Sequence, residues 1–89
     1  MITMKGFYTY VLKSKLDGKF YTGFTSDIEN RINEHNKGRV VSTRKRIPLV
    51  LIYFEFCLNI DDAIYREKYL KTTYGKRYIR NRLKHHLSD

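Results

Sequence analysis

Eighty-nine residues leave room for one small domain, since a chain of this size buries only about 60 to 65% of the surface that its unfolded form exposes. Eighteen Lys and Arg against nine Asp and Glu give a formal charge of +9, while 42% apolar and 15% aromatic residues suffice for a core, so wholesale disorder is excluded and a polyanion, nucleic acid first, is the expected partner. A lone cysteine, Cys57, excludes an internal disulfide, and neither a signal peptide nor a membrane span can be read anywhere; a cytoplasmic protein without membrane contact is expected.

The first two elements read as strands. Gly6 to Leu12 and Phe20 to Phe24 are rich in aromatic and β-branched residues, with Asp17-Gly18 between them as a hairpin signal. With Asp17 and Gly18 as the central turn residues, Ser14 faces Tyr21, Leu12 faces Gly23 and Tyr10 faces Thr25. Tyr10, Tyr21 and Gly23 then share a face, and a slip of one residue would separate them. Ser26 and Glu29 form a capping box that opens a helix running to about Gly38.

Lys37 to Arg46 holds five cations (Lys37, Arg39, Arg44, Lys45 and Arg46) and no carboxylate, and reads as a mobile basic loop. Leu49 to Cys57 is nearly continuous in apolar and β-branched residues, the pattern of a strand covered on both faces. A second helix is expected at roughly 61 to 71, a break at Thr72 to Gly75, and a third helix at roughly 76 to 87 with Ile79, Leu83 and Leu87 in line. The order is ββαβαα, an α+β fold with a three-stranded antiparallel sheet flanked by helices in a single domain over residues 1–89.

Three groups of residues could carry chemistry. Glu67 shares a helical stripe with Ala63 and Leu70, and it is the only acid between Ala63 and Ser88, a span with eight Lys and Arg. A buried carboxylate costs several kcal/mol unless it is paired, so Glu67 requires a cation: Arg66, Lys71, a loop residue or a metal. Tyr65 and Tyr69 offer a rival inward face. On the first helix Arg31 and His35, four residues apart, flank the Ile28 and Ile32 stripe, so Arg31 either aims at an anion or lays its stem on the core. Gly23 between two tyrosines removes bulk where a phosphate could approach, although a tyrosine in a strand is ordinarily packing. Cys57 reads as inert core.

Tyr8-Thr9-Tyr10, ten intervening residues, Tyr21-Thr22-Gly23, a helix with Arg31 and His35, and Arg66-Glu67 on a later helix together resemble the GIY-YIG nuclease family. The resemblance is closest to its small stand-alone subgroup, similar to the N-terminal domain of the excision-repair nuclease. It departs in reading Tyr-Thr-Tyr for Gly-Ile-Tyr and in placing Thr22 at the usual Ile. The resemblance implies hydrolysis of DNA phosphodiesters with Mg²⁺ or Mn²⁺, in repair or recombination. Tyr21 would activate water, Tyr10 would hold the network, Arg31 would neutralise the phosphate and Glu67 would bind the metal. Gly23 would leave room for the scissile phosphate. His35, whose imidazole ordinarily titrates near 6.5, is the rival base. Arg44, Lys45, Arg46, Lys71 and Asn81 are the candidate DNA contacts.

The leading expectation is therefore a small DNA endonuclease, with specificity left to DNA structure or to a protein partner. A non-catalytic nucleic-acid-binding module with the same fold, and a structural basic protein such as a ribosome-associated factor, are the alternatives.

Overall fold

The structure, a computed structural model, describes residues 5–88. Strands β1 (Phe7–Ser14), β2 (Phe20–Thr25) and β3 (Leu49–Cys57) form one antiparallel sheet in the order β2-β1-β3, with helices α1 (Ile28–Asn36), α2 (Ile60–Leu70), α3 (Thr73–Arg82) and the single turn α4 (Lys84–Leu87). This is the expected α+β architecture with one short helix added.

The sheet divides two small cores by side-chain alternation along β1. On one face Tyr10, Leu12 and Leu49 meet Ile28 and Ile32 of α1; on the other Val11 meets Leu70 and Ile79 of α2 and α3. The covered strand is therefore β1, in which Thr9 to Leu12 are all buried, and not β3. The apolar run of β3 has a different cause. Leu49 and Leu51 serve the α1 face, Ile52 and Tyr53 serve the α2–α3 face, and an irregularity of the ladder between Val11 and Leu12 lies between them. Phe54 and Phe56, farther along this edge strand, remain exposed.

The hairpin turn is longer than the expected two residues. Ser14 N–H donates to Lys19 O and Gly18 N–H to Ser14 O, while the buried Ser14 Oγ accepts from the amides of Leu16 and Asp17. Pairing consequently moves by two residues: Tyr10 faces Gly23, and Leu12 faces Tyr21. An even shift preserves which face each side chain takes, so Tyr10, Tyr21 and Gly23 still share one.

Local signals shifted in three other places. Asp27, not Ser26, caps α1 by accepting from Asn30 N–H at 3.2 Å. Thr72 caps α3, which starts at Thr73, three residues upstream of the expected start at Lys76, by accepting from Gly75 N–H. Gly75 lies inside the helix because a Cβ there would run into Tyr69 O and Leu70 Cα, so this glycine lets α3 cross close over the end of α2. The basic segment 37–46 is folded rather than mobile. Val40 and Thr43 are buried, Val40 O accepts from the amides of Thr43 and Arg44, and Arg46 O accepts from Ser14 Oγ at 2.6 Å.

Candidate active site

Two hydrogen bonds organise the centre of the site. Tyr10 Oη lies 2.9 Å from His35 Nε2, and His35 Nδ1 lies 2.7 Å from Thr43 Oγ1. All three side chains are buried. Burial is the main influence on both ionisable groups, pushing the Tyr10 phenol up to about 12 despite Arg31 and the His35 imidazole down to about 4, with Arg31 adding to the latter. His35 is thus neutral near pH 7. A neutral ring has one N–H, so it donates one of its two hydrogen bonds and accepts the other.

Around this rod stand the other sequence candidates. Tyr21, half-buried, packs edge-on against His35 with ring centroids 4.9 Å apart and lies 6.5 Å from the Tyr10 ring. Arg31, one turn before His35 on α1, interacts with both phenols; burial opposes its charge, but Tyr10, Tyr21 and Glu34 outweigh that and raise its pKa. Its contact with Glu34 is long, 3.6 Å, so the guanidinium is not committed to that carboxylate. The groups whose charges act on Tyr10 are Tyr21, Arg31 and Glu67. β1, β2 and α1 thus bring Tyr10, Tyr21, Arg31 and His35 together, and the Glu67 carboxylate of α2 lies near enough for its charge to act on Tyr10.

Glu67 comes from the inward stripe of α2: Ala63 and Leu70 are buried, whereas Tyr65 is exposed, which resolves the rival helix face. Arg66 is not its partner, because its guanidinium binds the Glu55 carboxylate with both Nε and Nη2 (2.9 and 2.8 Å). Glu67 meets Lys71 at 3.3 Å; its side chain is 15% exposed and that of Lys71 53%, so the carboxylate faces an opening and not a closed interior.

The space above Gly23 holds the Tyr10 ring. A Cβ at this position would lie 2.6 Å from Tyr10 Oη, so the glycine accommodates the phenol and not, as expected, an incoming phosphate. Arg44 and Lys45 are exposed. Arg46 is engaged, with Nε 2.7 Å from Asp17 Oδ2 and Nη2 3.4 Å from Phe20 O. Asn81 is exposed on α3 and makes no side-chain hydrogen bond among the described residues. Thr43 escaped the sequence reading: a threonine inside a basic stretch carries no signal that it will be buried against a histidine eight residues earlier.

The arrangement is that of a nuclease fold. Residues 6–84 match the GIY-YIG catalytic domain, and the chain belongs to the GIY-YIG family. Within it, the chain is similar to small proteins called UPF0213. It is 48% identical over 65 residues to one from Clostridium perfringens (strain 13 / Type A), covering 72% of this chain and 69% of that one. It is 41% identical over 66 residues to one from Staphylococcus haemolyticus (strain JCSC1435), covering 73% and 79%. It is 42% identical over 69 residues to one from Pediococcus pentosaceus, covering 76% and 72%. No solved structure matches the chain.

Proposed function

We propose that this protein is a DNA endonuclease that hydrolyses phosphodiester bonds with a divalent cation, Mg²⁺ or Mn²⁺, in repair or recombination. The observation that supports this best is the grouping of Tyr21 and Arg31 around the buried Tyr10–His35 pair, with the Glu67 carboxylate near enough to act on Tyr10 and with Tyr21 and Glu67 both partly exposed.

The two phenols have different tasks. Tyr10, buried and titrating at about 12, keeps its proton and aligns the network. His35 has both nitrogens engaged and no exposed surface, which removes it as a base and makes it the support of the phenols. Tyr21 is the group left to take the proton of the attacking water, with Arg31 beside it to stabilise negative charge on the phenol and on the phosphate. Among the described residues no three of His, Cys, Asp and Glu come together, and a lone, mostly buried carboxylate fits a hard cation that takes one protein oxygen and completes its shell with water and phosphate. Glu67 would hold it, with Lys71 giving up its contact; bound there, the cation supplies Lewis-acid polarisation.

The test is cleavage of supercoiled and branched DNA. We expect cutting with Mg²⁺ or Mn²⁺, none with EDTA, and loss of cutting with retained salt-sensitive binding in Glu67→Ala. Unmodified protein that binds every DNA form and cuts none would instead establish a binding module in which Glu67 and Lys71 are a structural pair.

A further inference from the structure

A second cationic feature lies away from the candidate active site. A cleft of about 410 Å³ opens between the β1–β2 turn and α3, lined by Gly18, Lys19, Phe20, Arg46, Lys76 and Arg80. No carboxylate lines it among the described residues. The nearby Asp17 is already matched by Arg46, whose hydrogen bond is the main cause holding the Asp17 carboxyl down at about 2. Arg46 in the wall is thereby neutralised, and Lys19, Lys76 and Arg80 line one concavity with no carboxylate partner among the described residues. Like charges gathered this way repel one another unless an anion joins them.

The cleft is also built to hold its shape. Lys76 and Arg80 stand four residues apart on one face of α3. The Arg80 guanidinium is stacked 5.1 Å from the Phe20 ring centre, which limits its freedom before any ligand arrives. The turn opposite is braced by Arg46 to both Asp17 and Phe20 O, and by Asp17 Oδ1 accepting from Lys19 N–H. Its position matters as much: Phe20, in the lining of the cleft, packs on the α2–α3 face and the next residue, Tyr21, on the α1 face, and β2 between them is an edge strand with its outer side unpaired.

We propose that this cleft seats a backbone phosphate of the DNA strand flanking the scissile bond, with Lys19, Lys76 and Arg80 as its cationic walls. The inference rests on the DNA reading above and extends it by tracing a path around the open edge of β2, from Tyr21 on the α1 face to the cleft beside Phe20 on the α2–α3 face. Flat surface lysines would give a diffuse field; a walled concavity on the edge strand fixes where the strand leaves the site.

The experiment is a binding titration of a labelled 20-base-pair duplex in EDTA, read by fluorescence anisotropy over a range of salt concentrations, so that no cutting is required. Lys19→Ala/Lys76→Ala should bind about tenfold more weakly and lower the slope of log affinity against log salt by about 1 to 2, whereas Lys68→Ala, exposed and outside the cleft, should leave both unchanged. Lys76→Glu alone should weaken binding further than Lys76→Ala, and it serves should the double variant fail to fold by circular dichroism. An unchanged slope in folded variants, or an equal loss in Lys68→Ala, overturns the cleft. Unmodified protein that does not bind the duplex overturns both the cleft and the nuclease reading. Binding with the expected losses but no cutting in any metal overturns the nuclease reading alone and leaves the cleft standing.

Discussion

Gly23 stands directly opposite Tyr10 on the β1–β2 ladder, and the tyrosine ring fills the volume that a side chain at position 23 would need. A Cβ at position 23 would lie 2.6 Å from Tyr10 Oη, closer than non-bonded carbon and oxygen approach. The glycine therefore keeps the phenol pressed against the sheet, where it reaches His35.

Gly23→Ala tests this relationship. The ring must move off its partner or the strand must shift, and overpacking of this kind costs about 1 to 3 kcal/mol. We expect a lower urea midpoint with an unchanged m-value, and a loss of DNA cutting larger than the loss of binding. A midpoint equal to that of the unmodified protein would mean that Tyr10 has room to retreat.

Thr43 holds the far end of the same rod. Thr43→Val keeps the volume and leaves one nitrogen of a buried imidazole without a partner, a cost of about 1 to 3 kcal/mol. Thr43→Ser should restore most of the stability and activity because it returns the hydroxyl. Equal behaviour of the Val and Ser variants in thermal melts would show that the hydrogen bond is not what matters.

The neutrality of His35 makes folding sensitive to acid. Its imidazole titrates at about 4 in the native protein against 6.5 ordinarily, so between those values the unfolded chain binds a proton that the native one refuses. Stability is fully present above about 6.5 and falls as pH drops toward 4, by about 3 kcal/mol in total at 1.36 kcal/mol per pH unit. Asp17, held near 2 by its hydrogen bond to Arg46 and then by the Lys19 amide, loses its contribution only below its ordinary value of 3.8. Denaturant melts across pH 4 to 7 should show the decline in the unmodified protein and a flat profile in His35→Gln, which is less stable at neutral pH. A decline of the same size in both proteins would assign it to other groups.

The basic segment divides by engagement. Arg44 and Lys45 are exposed, while Arg46 spans Asp17 and Phe20 O. Arg44→Ala/Lys45→Ala should weaken DNA binding and lower its salt slope by about 1 to 2 without altering the melting temperature. Arg46→Ala should lower the melting temperature by unbracing the turn. The opposite assignment, with Arg46 affecting only the salt slope, would show that its contacts open in solution.

The membership of Glu67 in the inward stripe of α2, the common face of Tyr10, Tyr21 and Gly23, and the i,i+4 placement of Arg31 and His35 were all legible in the chain, because helix and strand periods depend on spacing alone. The shared face even survived a wrong register, since a shift of two residues leaves strand parity intact. Local punctuation was less informative where several candidates stood side by side: Asp27 beside Ser26, and Gly75 mistaken for a break when its role is to let two helices touch.

What residue order by itself determined, then, is which side chains lie on the same face and that cations outnumber acids two to one. Tertiary structure alone decided that β1 and not β3 is the covered strand, that His35 is spent between Tyr10 and Thr43, that Arg66 belongs to Glu55, and that Arg46 is held at a turn 29 residues earlier in the chain. The physical reason is that period and composition are properties of neighbours in sequence, whereas hydrogen-bond partners and burial depend on which distant segments the fold brings together.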